Sequence, residues 1–102
     1  MQYVQMAEIE IDPAQVEAYR AAVEEQIAAA IPLEPGVLVL YAVHAKADPA
    51  RVTVFEIYRD ADAYASHLES PHFKKYKSST SGMVRSLKLI PVVPISLGAK
   101  AG

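Results

Sequence analysis

A pair of apolar segments joined by a short polar one constrains the fold of this 102-residue chain more than any other feature. The first segment, GVLVLYAVHA at 36–45, is almost continuously apolar and rich in β-branched residues, as is typical of a central strand. The second, RVTVFEIYR at 51–59, alternates between two faces, and the KADPA stretch at 46–50 has the composition of a turn. Together they predict an antiparallel hairpin.

A strand and a helix precede this hairpin. Residues 3–11 alternate between apolar and polar side chains, which indicates a strand with one largely buried face. The DPAQ motif at 12–15 predicts the start of a helix, because it supplies a cap, a first-turn proline and a capping-box residue. Pro32 and the Pro35-Gly36 pair are expected to end that helix. Its apolar stripe has helical spacing: Val16, Tyr19, Val23, Ile27 and Ile31.

A second helix is predicted from about Asp60, with a bend and a restart at Ser70-Pro71, because serine caps helices and proline suits their first turn. Residues 84–95 then predict a last strand that frays at Pro91 and Pro94. The order βαββαβ predicts an α+β, ferredoxin-like fold in which a four-stranded antiparallel sheet carries helices on one face.

The chain length suits a single domain, which we assign to residues 1–95, followed by a flexible tail at 96–102. The third strand is apolar on both faces, since Glu56 shares its side with Val52, Val54 and Tyr58. Helices in such a fold cover only one sheet face, so the other face needs a cover. We therefore expect a homodimer.

Composition excludes several classes of function. The net charge is −2 with mixed signs along the chain, which argues against nucleic-acid binding. The absence of cysteine excludes disulfides, thiol nucleophiles and thiolate metal sites. The apolar stretches are too short to cross a bilayer and no signal peptide is visible, so we expect a cytoplasmic protein that binds no membrane.

The stretch HLESPHF at 67–73 contains two of the three histidines. On a continuous helix, residues five apart point about 140° apart, and no third ligand is evident, so we expect no metal site at His67 and His72. His67 borders the buried side of its helix, where an imidazole can transfer a proton near neutral pH. From these residues alone a structural role at the bend is the favoured interpretation of His67, and His72 is expected to cap its own short helix.

Glu56 is an acid among apolar strand residues, which is unfavourable without a partner. It either orients an imidazole or a substrate hydroxyl, or forms a salt bridge with an arginine such as Arg51, Arg59 or Arg85. Three tyrosines could provide flat faces and hydroxyls to an aromatic ligand, although aromatic residues at such spacing also form cores: Tyr41, Tyr58 and Tyr64.

The segment FEIYRDADAYASHLESPHFKKY at 55–76 closely resembles the signature of the antibiotic biosynthesis monooxygenase (ABM) domain family. The resemblance rests on an acid and an aromatic residue on strand three, an alanine-rich helix that ends at His67, and the SPHF motif at 70–73. The segments AEIEIDPAQVEAYRAAV and EPGVLVLYAV extend it over about residues 3 to 92.

The resemblance implies a dimeric α+β barrel with a pocket between the helices and the sheet of each subunit. The family includes oxygenases of hydroquinones and aromatic polyketides that need no cofactor or metal, haem-degrading enzymes, and an isomerase branch. It implies His67 as the catalytic base, with Glu56 nearby. It also implies a small aromatic or quinol-like substrate that is oxidised by O2, with substrate contacts from a wider set: Tyr41, Tyr58, Tyr64, His72 and Phe73.

The chain departs from parts of the family pattern. It contains no asparagine and no tryptophan, and Lys77 stands about where the haem degraders have a histidine ligand. Haem degradation is therefore not expected, and the quinol-oxidising type of activity fits best. Two alternatives remain open at this point: a small-molecule isomerase on the same scaffold and a non-catalytic dimeric ligand-binding module.

Overall fold

The structure, a computed structural model, describes residues 1–101 and contains four strands and three α-helices over that range. The strands are β1 (Tyr3–Ile11), β2 (Val37–Ala45), β3 (Asp48–Tyr58) and β4 (Val84–Pro91). The helices are α1 (Val16–Leu33), α2 (Ala61–Leu68) and α3 (Pro71–Thr80), and a 3-10 turn at Pro13–Gln15 precedes α1. The sheet is antiparallel with the order β2-β3-β1-β4, so the predicted ferredoxin-like fold is confirmed.

Local hydrogen bonds explain where the helices begin. The Asp60 carboxylate accepts a hydrogen bond of 2.8 Å from the Ala63 backbone N–H, which caps α2. The Ser70 hydroxyl accepts from the Phe73 backbone N–H at 3.3 Å and donates to the His67 carbonyl at 2.7 Å. Ser70 therefore ends one helix and starts the next, and the predicted bend at Ser70-Pro71 is confirmed.

Three element boundaries differ from the sequence predictions. Pro32 lies inside α1 and does not end it, and the Glu34 N–H still bonds to the Ala30 carbonyl at 2.9 Å. The hairpin turn is tighter than predicted, since Ala45 already pairs with Asp48. The last strand ends at Pro91, although the Val92 N–H still donates to the Val4 carbonyl at 3.1 Å.

One face of the sheet packs against the helices. On this face Gln5 pairs with Glu56 and Ala7 pairs with Val54, so strand alternation places both polar side chains among core residues. From α1, Tyr19 and Val23 pack into the same core. Ile31, predicted to face inward, is 45% exposed, and Ala30 is buried in its place.

The opposite face has no cover from any described element. One row of side chains crosses all four strands there, because Phe55 pairs with both Tyr41 and Met6, and Met6 pairs with Ile90. Tyr41 and Val43 are each 61% exposed on this face. Within residues 1–101, no helix is both long and apolar enough to cross a membrane.

Gly36 allows the α1–β2 connection to lie directly against α2. A Cβ at this position would lie 2.6 Å from the Cβ of Ala63, whereas the Gly36 carbonyl accepts a hydrogen bond of 2.8 Å from the Arg59 N–H. Ala63 therefore leaves no room for a side chain at Gly36, and the hydrogen bond from Arg59 fixes the Gly36 backbone. This connection also positions the neighbouring Glu34.

We expect Gly36→Ala to lower the free energy of unfolding by about 1–3 kcal/mol, because the added methyl group must push α2 away. Urea denaturation followed by circular dichroism measures this change. Gly82→Ala is the matched control, since nothing lies within 4 Å of a Cβ at that position. Equal losses in the two variants would show that the contact with Ala63 is not the cause.

Candidate functional site

A cavity of about 340 Å³ lies between the helices and the helix-facing side of the sheet. Its volume is within the range of sites that hold small organic ligands. Most of the wall is apolar, including Leu87 and Leu89 of β4, which no helix covers and which remain about half exposed. The polar side chains of the wall come from five elements: Gln5, Gln26, Glu56, Tyr58, Tyr64, His67, Tyr76 and Lys77.

His67 is held by a carboxylate that follows α1. Its Nδ1 lies 2.7 Å from Oε2 of Glu34, and Nε2 of His72 lies 2.6 Å from the same oxygen. The His67 side chain is 2% exposed, and those of Glu34 and His72 are 16% and 13% exposed. One oxygen atom therefore joins residues from α2, α3 and the end of α1.

This arrangement determines which ring nitrogen of His67 can act as a base. A carboxylate oxygen can only accept hydrogen bonds, so Nδ1 of His67 and Nε2 of His72 must both carry a hydrogen. A neutral His67 then has a free lone pair on Nε2. That nitrogen has no hydrogen-bond partner among residues 1–101, and the His67 side chain lines the cavity. The site thus presents a hydrogen-bond acceptor to a ligand.

The geometry corrects the prediction that the two imidazoles point to different sides and lack a third ligand. The bend at Ser70 restarts the helix, so the angle of a continuous helix does not apply, and the ring centroids lie 6.0 Å apart. Glu34 is the missing third group. The three side chains place one possible metal-ligating atom each within 4.8 Å of one another, although the distances of 2.6 and 2.7 Å are those of hydrogen bonds.

Glu56 is 9% exposed and its hydrogen-bond partners differ from those predicted. Its Oε1 accepts from the Tyr58 hydroxyl at 2.6 Å and from Nε2 of Gln5 at 3.2 Å. The predicted arginine partners pair elsewhere: Arg51 with Glu10, Arg59 with Asp60 and Arg85 with Asp12. Oε2 of Glu56 has no hydrogen-bond partner in the described part of the chain, so a second acceptor is available at the cavity wall.

Aromatic side chains surround His67 on the cavity side. Tyr58 is fully buried and its ring centroid lies 5.4 Å from that of His67, while Phe73 lies 4.9 Å away. Burial and the adjacent Glu56 carboxylate raise the pKa of the Tyr58 hydroxyl far above its ordinary value, so Tyr58 is a donor and not an acid at neutral pH. Tyr64 stacks on Tyr3 at the rim, with centroids 4.5 Å apart.

Two predicted ligand contacts lie away from the cavity. Tyr41 pairs with Phe55, so the alternation of β2 places its side chain on the uncovered face of the sheet. His72 lies behind His67 and reaches Glu34 instead of lining the cavity. The structure therefore gathers His67, Glu56, Tyr58, Tyr64 and Phe73 around one cavity.

Sequence reasoning missed three polar residues. Glu34 is the one charged residue in the stretch IPLEPGVLV, and a lone charge among apolar residues could have marked it as a candidate site residue. Gln5 occupies a buried position on an otherwise apolar strand face. Gln26 lies 6% exposed in the cavity wall, and its Oε1 has no hydrogen-bond partner within residues 1–101.

Comparison with known proteins agrees with this architecture. The family model described as antibiotic biosynthesis monooxygenase (ABM) matches residues 2–79 of the chain. The chain therefore belongs to the ABM family. None of the proteins with curated functions matches it significantly.

Solved structures of relatives share the fold over nearly the whole chain. A "putative antibiotic biosynthesis monooxygenase" from Bacteroides thetaiotaomicron is 48% identical with a TM-score of 0.94, over 99% of this chain and 96% of that one. A "putative monooxygenase" from Lactobacillus acidophilus is 26% identical with a TM-score of 0.88, over 90% of this chain and 44% of that one. A Nitrosomonas europaea protein, 20% identical with a TM-score of 0.86 over 92% and 99% of the two chains, shares the fold.

We expect Tyr58→Phe to lower the free energy of unfolding at pH 7 by about 1–3 kcal/mol, because it removes the shorter hydrogen bond to the buried Glu56. Tyr41→Phe, on the uncovered face, is the matched control and should change it by less than about 0.5 kcal/mol. Denaturant unfolding of both variants measures the difference. An unchanged free energy of unfolding in Tyr58→Phe would show that the hydroxyl contributes no net stability.

The same variant should alter the alkaline limit of stability. The pKa of Tyr58 is raised by folding, so its contribution is complete below the unfolded value of about 10 and is lost as the pH rises above it. The wild type should therefore lose stability more steeply above pH 10 than Tyr58→Phe. If the wild type and Tyr58→Phe lost stability equally steeply above pH 10, the assigned environment of Tyr58 would be wrong.

Proposed function

We propose that this protein is a cofactor-independent monooxygenase that oxidises a small quinol-like or phenolic compound with O2. The observation that carries the proposal is the orientation of His67, whose Nδ1 hydrogen-bonds to Glu34 while its Nε2 has no hydrogen-bond partner within residues 1–101, and whose side chain lines the cavity. Such a nitrogen accepts a proton from a bound hydroxyl group. Glu34 stabilises the imidazolium ion that results.

The chemistry requires little more from the protein than this base and a dry cavity. Deprotonation of one hydroxyl gives an electron-rich phenolate, which transfers an electron to O2. For a quinol and one O2, the products that balance atoms and electrons are a hydroxyquinone and one water. The proton held on His67 returns during reduction of the second oxygen atom, so the base is regenerated without an external cofactor.

Hydrogen-bond acceptors at the cavity wall support a quinol as the substrate class. Nε2 of His67 and Oε2 of Glu56 are both acceptors without partners in the described chain, and both side chains line the same cavity. A quinol offers two hydroxyl donors, whereas a quinone offers only acceptors. Glu56 in the proposed reaction orients the second hydroxyl, and Tyr58 holds Glu56 in place. The mostly apolar wall, which includes Phe73, suits an aromatic ring.

We expect chelator-treated wild-type protein to consume O2 with a member of a hydroquinone panel, and we expect His67→Ala to reduce kcat by about 10²- to 10⁴-fold, the usual contribution of a general base. An oxygen electrode measures uptake, and circular dichroism verifies folding of each variant. His67→Gln is a second variant that removes the base but keeps a side chain able to hydrogen-bond.

His44→Gln is the matched control, because His44 is exposed at the end of β2 and takes no part in the cavity. It should retain wild-type uptake. Full turnover by folded His67→Gln would exclude His67 as the base. Turnover of the same compounds without O2 would instead indicate an isomerase.

We also propose that the uncovered face of the sheet forms a homodimer. The row of Tyr41, Phe55, Met6 and Ile90 presents apolar surface from every strand, and large exposed apolar surfaces mark association sites. A second copy supplies a matching surface through a two-fold axis.

Tyr41→Lys should shift the protein from dimer to monomer, because it places a charge in the apolar row that crosses this face. Light scattering coupled to size-exclusion chromatography measures the mass. Ile31→Lys is the control, since Ile31 is a partly exposed apolar residue on α1 and its substitution should leave the dimer intact. A wild-type monomer at high concentration would contradict the proposal.

A further inference from the structure

We propose that Glu34, His67 and His72 also form a binding site for a divalent transition-metal ion of the Zn²⁺ type, and that the bound ion inhibits the enzyme. The binding part of this inference depends only on the geometry of the three side chains. The inhibition part rests on the proposed role of His67 as the base.

The three ligating atoms need only a small rearrangement to hold an ion. Oε2 of Glu34 lies 2.7 Å from Nδ1 of His67 and 2.6 Å from Nε2 of His72, and all three atoms lie within 4.8 Å of one another. Ligands at 2.0–2.1 Å from a tetrahedral ion are about 3.3 Å apart. The shared hydrogen bonds must therefore open by about 0.6–0.7 Å, and the two imidazole nitrogens, which lie within 4.8 Å of each other, must reach the same spacing of about 3.3 Å. One coordination position remains for water.

The donor set selects the type of ion. Two imidazole nitrogens and one carboxylate oxygen are ligands typical of Zn²⁺, Co²⁺ and Ni²⁺, whereas Mg²⁺ and Ca²⁺ prefer oxygen ligands alone. The side chains of Glu34 and His72 are partly exposed, and Glu34 also lines a separate outer cleft with Arg59 and Asp62. An ion can thus reach the site from outside, without passing through the ligand cavity.

Metal binding and base function are mutually exclusive at His67. An ion on Nδ1 requires the lone pair of that nitrogen, so the hydrogen of a neutral ring moves to Nε2. The hydrogen of His72 moves in the same way from Nε2 to Nδ1, and no net proton is lost. Nε2 of His67 then faces the cavity as a donor and can no longer accept the proton of a substrate hydroxyl.

Titration of the metal-free protein with Zn²⁺, followed by calorimetry, tests the binding. We expect one ion per chain for the wild type and for His44→Gln, and at least about tenfold weaker binding for His72→Gln, which lacks one ligand. Co²⁺ provides a second measurement, because a tetrahedral site gives it strong visible absorption, which His72→Gln should abolish. Circular dichroism verifies that each variant is folded.

The proposed site would be wrong if folded His72→Gln bound Zn²⁺ with the same affinity as the wild type. It would also be wrong if the wild type bound Mg²⁺ about as tightly as Zn²⁺. His44→Gln separates this result from adventitious binding, since it removes the remaining histidine. Glu34→Gln gives an independent check, because an amide is a poorer ligand than a carboxylate and should also weaken binding.

The inhibition is tested with the O2 uptake assay on the quinol that the wild type oxidises. Saturating Zn²⁺ should abolish uptake, and excess chelator should restore it. Uptake that continues while the site is shown to be occupied would overturn the inhibition. A wild type that binds Zn²⁺ at this site but oxidises no quinol would refute the proposed function and leave the metal site established.

Discussion

A single oxygen atom, Oε2 of Glu34, holds together the ends of all three helices around the cavity. It accepts hydrogen bonds from His67 on α2 and His72 on α3, and its own residue follows the last turn of α1. Each imidazole is largely buried, so loss of the carboxylate would leave two donors without partners. The orientation of His67 therefore depends on the same contact that fixes the packing of the short helices.

The cavity exists because the helices leave part of their sheet face uncovered. Tyr19 and Val23 of α1 pack with buried residues of β1 and β3, whereas Leu87 and Leu89 of β4 remain 46% and 47% exposed. A small domain that keeps such a space gives up apolar burial that would have stabilised it. Gln26 adds to this cost, because its buried amide oxygen lacks a partner within residues 1–101. Costs of this kind are typical of regions shaped for a ligand.

Local sequence signals predicted the fold well, and long-range contacts account for what they missed. Strand alternation, the Asp60 cap and the Ser70-Pro71 bend each depend on neighbouring residues, so the sequence identified them. The partners of His67 and Glu56 depend on tertiary packing: Glu34 is 33 residues from His67, and Gln5 is 51 residues from Glu56. The face on which Tyr41 lies was not evident for a related reason, since the irregularity between Val37 and Val39 shifts the register of β2.

The chemistry of the cavity also bears on the three candidate functions. An isomerase for a phosphorylated compound needs several cationic or backbone N–H groups, yet among the lining residues in the described chain only Lys77 is cationic. A simple binding module needs shape and apolar surface, but it gains nothing from a histidine whose tautomer is fixed by a buried carboxylate. The free nitrogen of His67 and the free oxygen of Glu56 are both acceptors in a mostly apolar space. This combination supports the proposed removal of a proton from a hydroxyl-bearing aromatic compound.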